Sequence, residues 1–217
     1  MPTIGLIDRQ SAAGPIADAY RSLFAALSPS LAGDRARSLL VTACDARCPR
    51  NGVAANLALA AASAGYRVRL VDADVRRPAL HVPFGVANTA GFADLLNGAL
   101  PDTVRLFEVA GLSFLPAGRS AETQASAALP LRERLDAVLR ALSDGVALLI
   151  LDVAPILCSP DAVVLAGMVD DVLVVAEPGA TRRDDARRTR ALLDRIGSHL
   201  VGVATIEPSA RLPGSAA

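Results

Sequence analysis

The stretch "VTACDARCPRNGVAANLALAAASAGYRVRLVDADVRRP", residues 41–78, decides how the chain folds. It opens inside an apolar run, "SLLVTA" (38–43), and crosses the irregular "CDARCPRNG" (44–52). An alanine-rich helical pattern over 52–64 follows, and the stretch closes on a second apolar run, "RVRLVDA" (67–73). Strand, loop, helix and strand in that order make a βαβ unit, and the alternation continues down the chain. "LSFLPA" (112–117), "VALLILDV" (146–153), "DVLVVAEP" (171–178) and "LVGVATI" (200–206) are further strand-like runs, with "VRLFEV" (104–109) as an added edge strand. Helical segments are predicted at 91–97, 128–143, 159–168 and 181–197. Near-continuous apolar runs mark strands buried on both faces of a parallel sheet. The expected fold is therefore α/β, one three-layer, doubly wound domain with a mostly parallel sheet, spanning 38–206.

Residues 1–37 form a separate N-terminal helical segment in this reading. "GPIADAYRSLFAALSPS" predicts a helix between Pro15 and Pro29, with Tyr20, Leu23, Phe24 and Leu27 on one side and Asp18 and Arg21 beside them. Residues 207–217, "EPSARLPGSAA", carry small residues and two prolines and are expected to be disordered.

Composition narrows the chemistry. Aromatics are only 3% of 217 residues, so Ala, Val and Leu must build the core. Formal net charge is zero, which gives no general attraction to nucleic acid or anionic lipid. All 22 basic residues are Arg, so no lysine is present to act as a phosphate-loop cation, a Schiff base or a general base. Three cysteines, Cys44, Cys48 and Cys158, suit a reducing cytoplasm better than a disulfide scaffold. The first residues have neither the basic start nor the apolar core of a signal peptide. The longest apolar run, "VALLILDVAPIL", contains Asp152 and reads as a buried strand, so a cytoplasmic chain is expected, reaching a membrane only through a partner and without direct membrane insertion.

The chemistry-bearing residues fall at strand ends, where ligands bind in sheets of this kind. A phosphate-binding P-loop reads G-x-x-x-x-G-K-[ST]: its backbone N–H groups surround phosphate, its Lys reaches the terminal phosphates and its hydroxyl holds Mg²⁺. The loop here occupies that place with Arg47, Arg50, Asn51 and Gly52. Its glycines have become residues with side chains, and Pro49 has no N–H to donate. Arg50 stands for the Lys with a broad planar fork, and Asn51 replaces the hydroxyl. Asp72 and Asp74, two residues apart, point to one side at the end of a strand, where paired carboxylates hold hydrated Mg²⁺ or accept a proton. Asp152 ends the apolar run "LLILD" as a Walker B aspartate does. Cys44, Cys48 and Cys158 could converge near the same site, but a metal there would need a fourth ligand, and His81 and His199 are not obviously close to it.

These motifs together resemble the catalytic core of the bacterial tyrosine kinases, of the deviant-Walker P-loop group that also holds the MinD and ParA ATPases. The likeness rests on "AANLA" (54–58), "GYRVRLVDADVRRP" (65–78), "GFADLL" (91–96), "LPAG" (115–118) and "DVAP" (152–155), and "ADAYRSLF" (17–24) resembles the family's "EAYRSLR" oligomer segment. The resemblance implies a P-loop NTPase-like fold, with Asp72 and Asp74 as the second Walker motif, Asp152 as Walker B, and all three as Mg-related ligands where nucleotide binds. It implies an oligomer interface at Asp18, Arg21 and Phe24, and a partner in a membrane polysaccharide co-polymerase, a transmembrane subunit of the Wzz/Wzc type. It places the chain in control of capsule or exopolysaccharide length and export.

Four departures fall together. The loop is degenerate, the second oligomer Arg is Phe24, and Glu207 stands where the group reads adenine with Asn. The only tyrosines are Tyr20 and Tyr66, so the tail tyrosine cluster is missing. The expectation is a pseudokinase with no cofactor. Its alternatives are an active Mg-ATP-dependent tyrosine kinase using Arg50, and a positioning ATPase like ParA or MinD.

Overall fold

The computed structural model describes residues 6, 14–31, 33, 35–118 and 128–206. The segment 207–217, including Glu207, lies outside the described residues. Seven strands make one sheet: β1 (Arg37–Ala43), β2 (Val68–Asp72), β3 (Phe107–Val109), β4 (Leu112–Leu115), β5 (Leu148–Asp152), β6 (Asp171–Ala176) and β7 (Leu200–Thr205). Their order is β3-β4-β2-β5-β1-β6-β7. All neighbours run parallel except the short edge strand β3, which pairs antiparallel with β4. The helices are α1 (Pro15–Leu31), α2 (Arg50–Ser63), α3 (Phe92–Leu96), α4 (Ala128–Ser143), α5 (Pro160–Ala166) and α6 (Arg183–Ile196).

The continuous apolar runs are explained by two cores, one on each face. In β1, Leu39, Val41 and Ala43 face the α1–α2 side while Leu40 faces the other. In β5, Leu148 and Ile150 alternate with Leu149 and Leu151 in the same way. The second core is roofed by Phe92, Leu135, Leu139, Leu165 and Leu193 of α3 to α6. Helix and sheet layers on both faces give the expected three-layer α/β architecture.

Alanine-rich α2 is apolar nearly all round because it lies between the sheet and α1. Ala54, Ala55, Ala58 and Ala61 are fully buried, and small side chains let backbones approach from both sides. Helix α1 is fastened on top of it. Phe24, Leu27 and Leu31 enter the same core as α2, and the Phe24 ring meets Tyr66 edge-on with centroids 5.0 Å apart. This corrects the expectation for Phe24, which is an anchor buried beneath α1 and not part of an exposed interface. The cause is its helical spacing to Leu27 and Leu31, which puts all three on the inward stripe. The helix also runs through Pro29 to Leu31 instead of stopping before it. Pro29 has no N–H for the Ala25 carbonyl, and the Ser28 hydroxyl donates to that oxygen instead, at 2.9 Å.

Other helix ends fall within two residues of expectation. The difference that matters is α2, which begins at Arg50 and not at Gly52. Pro49 stands just before the first turn, where a residue without an N–H is tolerated. Arg50 is thereby drawn from the loop into the helix.

Candidate functional site

Strands β2 and β5 end side by side, and Asp72 pairs in register with Asp152. One residue beyond β2, Ala73 N–H donates to the Asp152 carbonyl at 2.8 Å, so the two strand ends stay together as the chain turns to Asp74. The first turn of α2 comes over these ends from β1, on the other side of β5. The topology thus brings Arg50, Asn51, Asp72, Asp74 and Asp152 to one place at the carboxyl edge of the sheet.

Arg50 lies inside the cluster of acids. It is 6% exposed, against 0% for Asp72, 3% for Asp74 and 0% for Asp152. One terminal guanidinium nitrogen donates to Asp74 Oδ2, and Nε donates to the Val153 carbonyl. The same Nε lies 3.5 Å from Asp152 Oδ1. Asn51 contributes its amide nitrogen, not its oxygen: Nδ2 donates to Asp152 Oδ2 at 2.7 Å. Asp72 Oδ2 accepts from the N–H groups of Ala79 and Leu80, each at 3.0 Å, and Asp74 Oδ1 accepts from Arg77 N–H at 3.1 Å. Two buried oxygens, Asp72 Oδ1 and Asp152 Oδ1, have no hydrogen-bond partner among the described residues.

Charge in so dry a place is expensive. Burial pushes Asp152 up to about 8, with Arg50 pulling against it and the Asp72 and Asp74 charges adding to it. Burial also raises Asp72, to about 6, opposed by the Leu80 and Ala79 N–H groups. Magnesium takes oxygen ligands in an octahedron. Among the described residues no three His, Cys, Asp or Glu side chains are arranged to hold a metal ion, the three aspartates included.

The loop before α2 is closed on itself. Arg47 N–H donates to Asp45 Oδ1 at 2.9 Å, Arg50 N–H to the Cys48 carbonyl at 2.9 Å and Gly52 N–H to the Pro49 carbonyl at 3.3 Å. These are backbone donors that a phosphate-binding loop leaves for its ligand. Asp45 also accepts from the Thr181 hydroxyl at 3.3 Å, which ties the loop to the turn after β6. The Arg47 side chain is exposed, and Gly52 is half-buried within α2.

The cysteines do not assemble into a site. Cys44 and Cys48 are buried and Cys158 is exposed. Burial pushes Cys48 up to about 12, reinforced by Asp45 and Glu177, and raises Cys44 as well, so both stay thiols. At α1, Asp18 and Arg21 are exposed and paired with each other. The two tyrosines serve packing: Tyr66 meets Phe24 edge-on, and Tyr20 is half-buried, its hydroxyl raised by burial with a hydrogen bond to Asn56 opposing.

Two constellations had no signal as such in the sequence. "GFADLL" and "LPAG" form one clamp. Asp94 Oδ2 accepts from Gly91 N–H at 2.7 Å, Phe92 and Ala93 N–H donate to the Pro116 and Ala117 carbonyls at 2.9 and 2.8 Å, and Gly118 N–H donates to Asn88 Oδ1 at 2.7 Å. At the opposite, amino edge of the sheet, Asp170 accepts from Arg35 and from both N–H and hydroxyl of Ser38, while buried Asp171 holds Arg37 at 2.8 Å and His199 at 2.7 Å.

No family model matches the chain. It is 24% identical over 189 residues to CapB of Staphylococcus aureus, provisionally described as a tyrosine-protein kinase, covering 86% of this chain and 82% of that one. It is 27% identical over 188 residues to the tyrosine-protein kinase YwqD of Bacillus subtilis, covering 84% and 77%. A Klebsiella pneumoniae relative, 27% identical over 161 residues, is provisionally described as a tyrosine-protein kinase in a cps region; the match covers 73% of this chain but 22% of that longer protein. Among solved structures, the kinase domain of the Escherichia coli tyrosine kinase ETK superposes with a TM-score of 0.84 at 23% identity, covering 100% of this chain and 85% of that one. MinD, in its complex with MinC from Aquifex aeolicus, matches at TM-score 0.64 and 20% identity, over 79% and 68% of the two chains. The chain is thus similar in sequence to proteins described as bacterial tyrosine-protein kinases, and it shares its fold with the ETK kinase domain and with MinD.

Proposed function

We propose that this chain is a catalytically silent tyrosine-kinase-like subunit that regulates capsular or exopolysaccharide polymerisation and export by docking on a membrane co-polymerase. The observation that carries this reading is Arg50, whose guanidinium sits among Asp72, Asp74 and Asp152 where a nucleotide's metal would have to stand. Mg-ATP does not fit the residues present. The acids face a guanidinium, Asn51 offers an N–H donor where a metal needs an oxygen, and the loop spends its N–H groups on its own carbonyls and Asp45. Asp45 and Glu177 add negative charge near the loop, which repels phosphate. Tyr20 and Tyr66 are both partly buried, with their rings packed against the core. Among the described residues no helix is long and apolar enough to cross a membrane, so membrane association in this reading comes through the partner. The chain would work in the cytoplasm, alone or as a homo-oligomer.

The test is calorimetric titration of the full chain with Mg-ATP, alongside radiolabelled phosphate transfer in the presence of a candidate partner. No heat of binding and no transfer is the expected result. Micromolar binding with label on a partner tyrosine would reject it and establish the second reading, an active ATP-dependent tyrosine kinase. That second reading is favoured by the descriptions of the relatives and by the retention of all three aspartates.

A further inference from the structure

Three acids converge at the carboxyl edge of the sheet with one cation, and that cation belongs to the protein. From this geometry we infer that the Arg50 guanidinium is a built-in substitute for a divalent cation, so that Arg50 and a metal ion compete for the same carboxylates and the wild-type site excludes metal. The inference concerns cation occupancy alone: the absence of ATP binding could hold while it fails, and the tests separate the two.

The placement of Arg50 is specific. Its fork reaches Asp74 at one end while Nε lies between the Val153 carbonyl and Asp152 Oδ1, so one planar group touches the loops following both β2 and β5. A hydrated metal would link those same two loops through oxygen ligands. Asn51 completes the substitution by donating to the other oxygen of Asp152. Asp72 Oδ1, fully buried and without a hydrogen-bond partner among the described residues, is an acceptor that the single guanidinium leaves over, and Asp152 Oδ1 is met by Nε at 3.5 Å without a hydrogen bond. A buried charge whose partner is removed is strongly destabilising, so removing Arg50 costs stability that an entering cation can restore in part.

The experiment uses the full chain and Mn²⁺, with Mg²⁺ in parallel, and reads bound Mn²⁺ by electron paramagnetic resonance and unfolding by thermal scan. Wild type should bind no Mn²⁺ at sub-millimolar concentration and should melt at the same temperature with metal or with EDTA. Arg50→Met removes the cation but keeps much of the side chain's bulk. It should melt lower in EDTA, regain part of that loss with Mn²⁺, and bind Mn²⁺ roughly tenfold or more tightly than wild type. Adding Asp74→Asn should cancel the gain, whereas Arg50→Lys should behave as wild type does. Tight Mn²⁺ binding to wild type overturns the inference, as does a folded Arg50→Met that ignores metal. Should Arg50→Met fail to fold in EDTA, refolding it with and without Mn²⁺ decides the matter, because recovery only with metal is the expected outcome and no recovery counts against the inference.

Discussion

Asp152 shows how a single residue can record what a site has become. Its carboxyl is fully buried, and only Asn51 donates a hydrogen bond to it, so burial raises its proton affinity to about 8. An acid whose folded value exceeds its unfolded value, about 3.9, binds more protons in the folded state. Its stabilising contribution is therefore complete at low pH and is lost as pH rises towards 8. Asp72, raised to about 6, gives up its contribution earlier, which leaves the interval from pH 6 to 8 to Asp152. In urea unfolding over that interval, wild-type stability should fall with a slope of at most about 1.4 kcal/mol per pH unit. Asp152→Asn should flatten the slope; an unchanged slope in the variant would show that Asp152 is ionised throughout. The sequence placed Asp72, Asp74 and Asp152 together through the strand-end pattern, and it marked Arg50 as a poor replacement for Lys. It could not show that Arg50 turns away from the loop and into the acids. That depends on α2 starting two residues early behind Pro49 and on β5 lying between β1 and β2, neither of which is a local property of the chain.

At the scale of elements, motifs read as family signatures turn out to be joints. Helix α3 has only five residues, too few to hold itself together, and it is fixed by donating Phe92 and Ala93 N–H groups to the strand end at Pro116 and Ala117. The approach is so close that a Cβ on Gly91 would lie 1.9 Å from the Pro116 carbonyl oxygen and 2.5 Å from Gly118 N. Both are backbone atoms that cannot step aside alone. Gly91→Ala should therefore cost on the order of 1–3 kcal/mol, seen as a lower urea midpoint, with amide-exchange protection lost first in α3. If stability were unchanged, the clamp would not be rigid. The same reasoning explains why helix existence was easier to read than helix ends. The 3.6-residue periodicity over 128–143 marks a helix whose observed bounds are Ala128–Ser143. Ends elsewhere were set by side chains that satisfy backbone groups, such as the Ser28 hydroxyl within α1 that takes the Ala25 carbonyl where Pro29 has no N–H.

Over the whole molecule, the two edges of the sheet carry opposite electrostatic arrangements. The strands themselves were legible because double-sided burial leaves long apolar runs, but their order was not, since equal runs of Val and Leu are interchangeable at sequence level. That order puts Asp72 and Asp152 at the carboxyl edge and gathers Arg35, Arg37, Ser38, Asp170, Asp171 and His199 at the amino edge. At the amino edge burial would raise Asp170, but hydrogen bonds from Arg35 and from the Ser38 N–H and hydroxyl outweigh it and hold the acid down at about 2. A depressed acid stabilises the fold above its unfolded value and loses that contribution as pH falls towards 2. The carboxyl edge loses its own contribution in the other direction, between about 4 and 8. Stability should therefore peak on the acidic side, close to the unfolded carboxylate value of about 4, and not at neutrality. Urea midpoints from pH 2 to 9 would trace this curve for wild type and two variants. Asp170→Asn should lose stability at the peak and flatten the acid limb while leaving the alkaline limb in place, and Asp152→Asn should move the peak upward. A wild-type maximum at neutral pH that neither substitution shifts would mean that the buried acids at the carboxyl edge keep their charge, with Arg50 and the surrounding N–H groups fully compensating it.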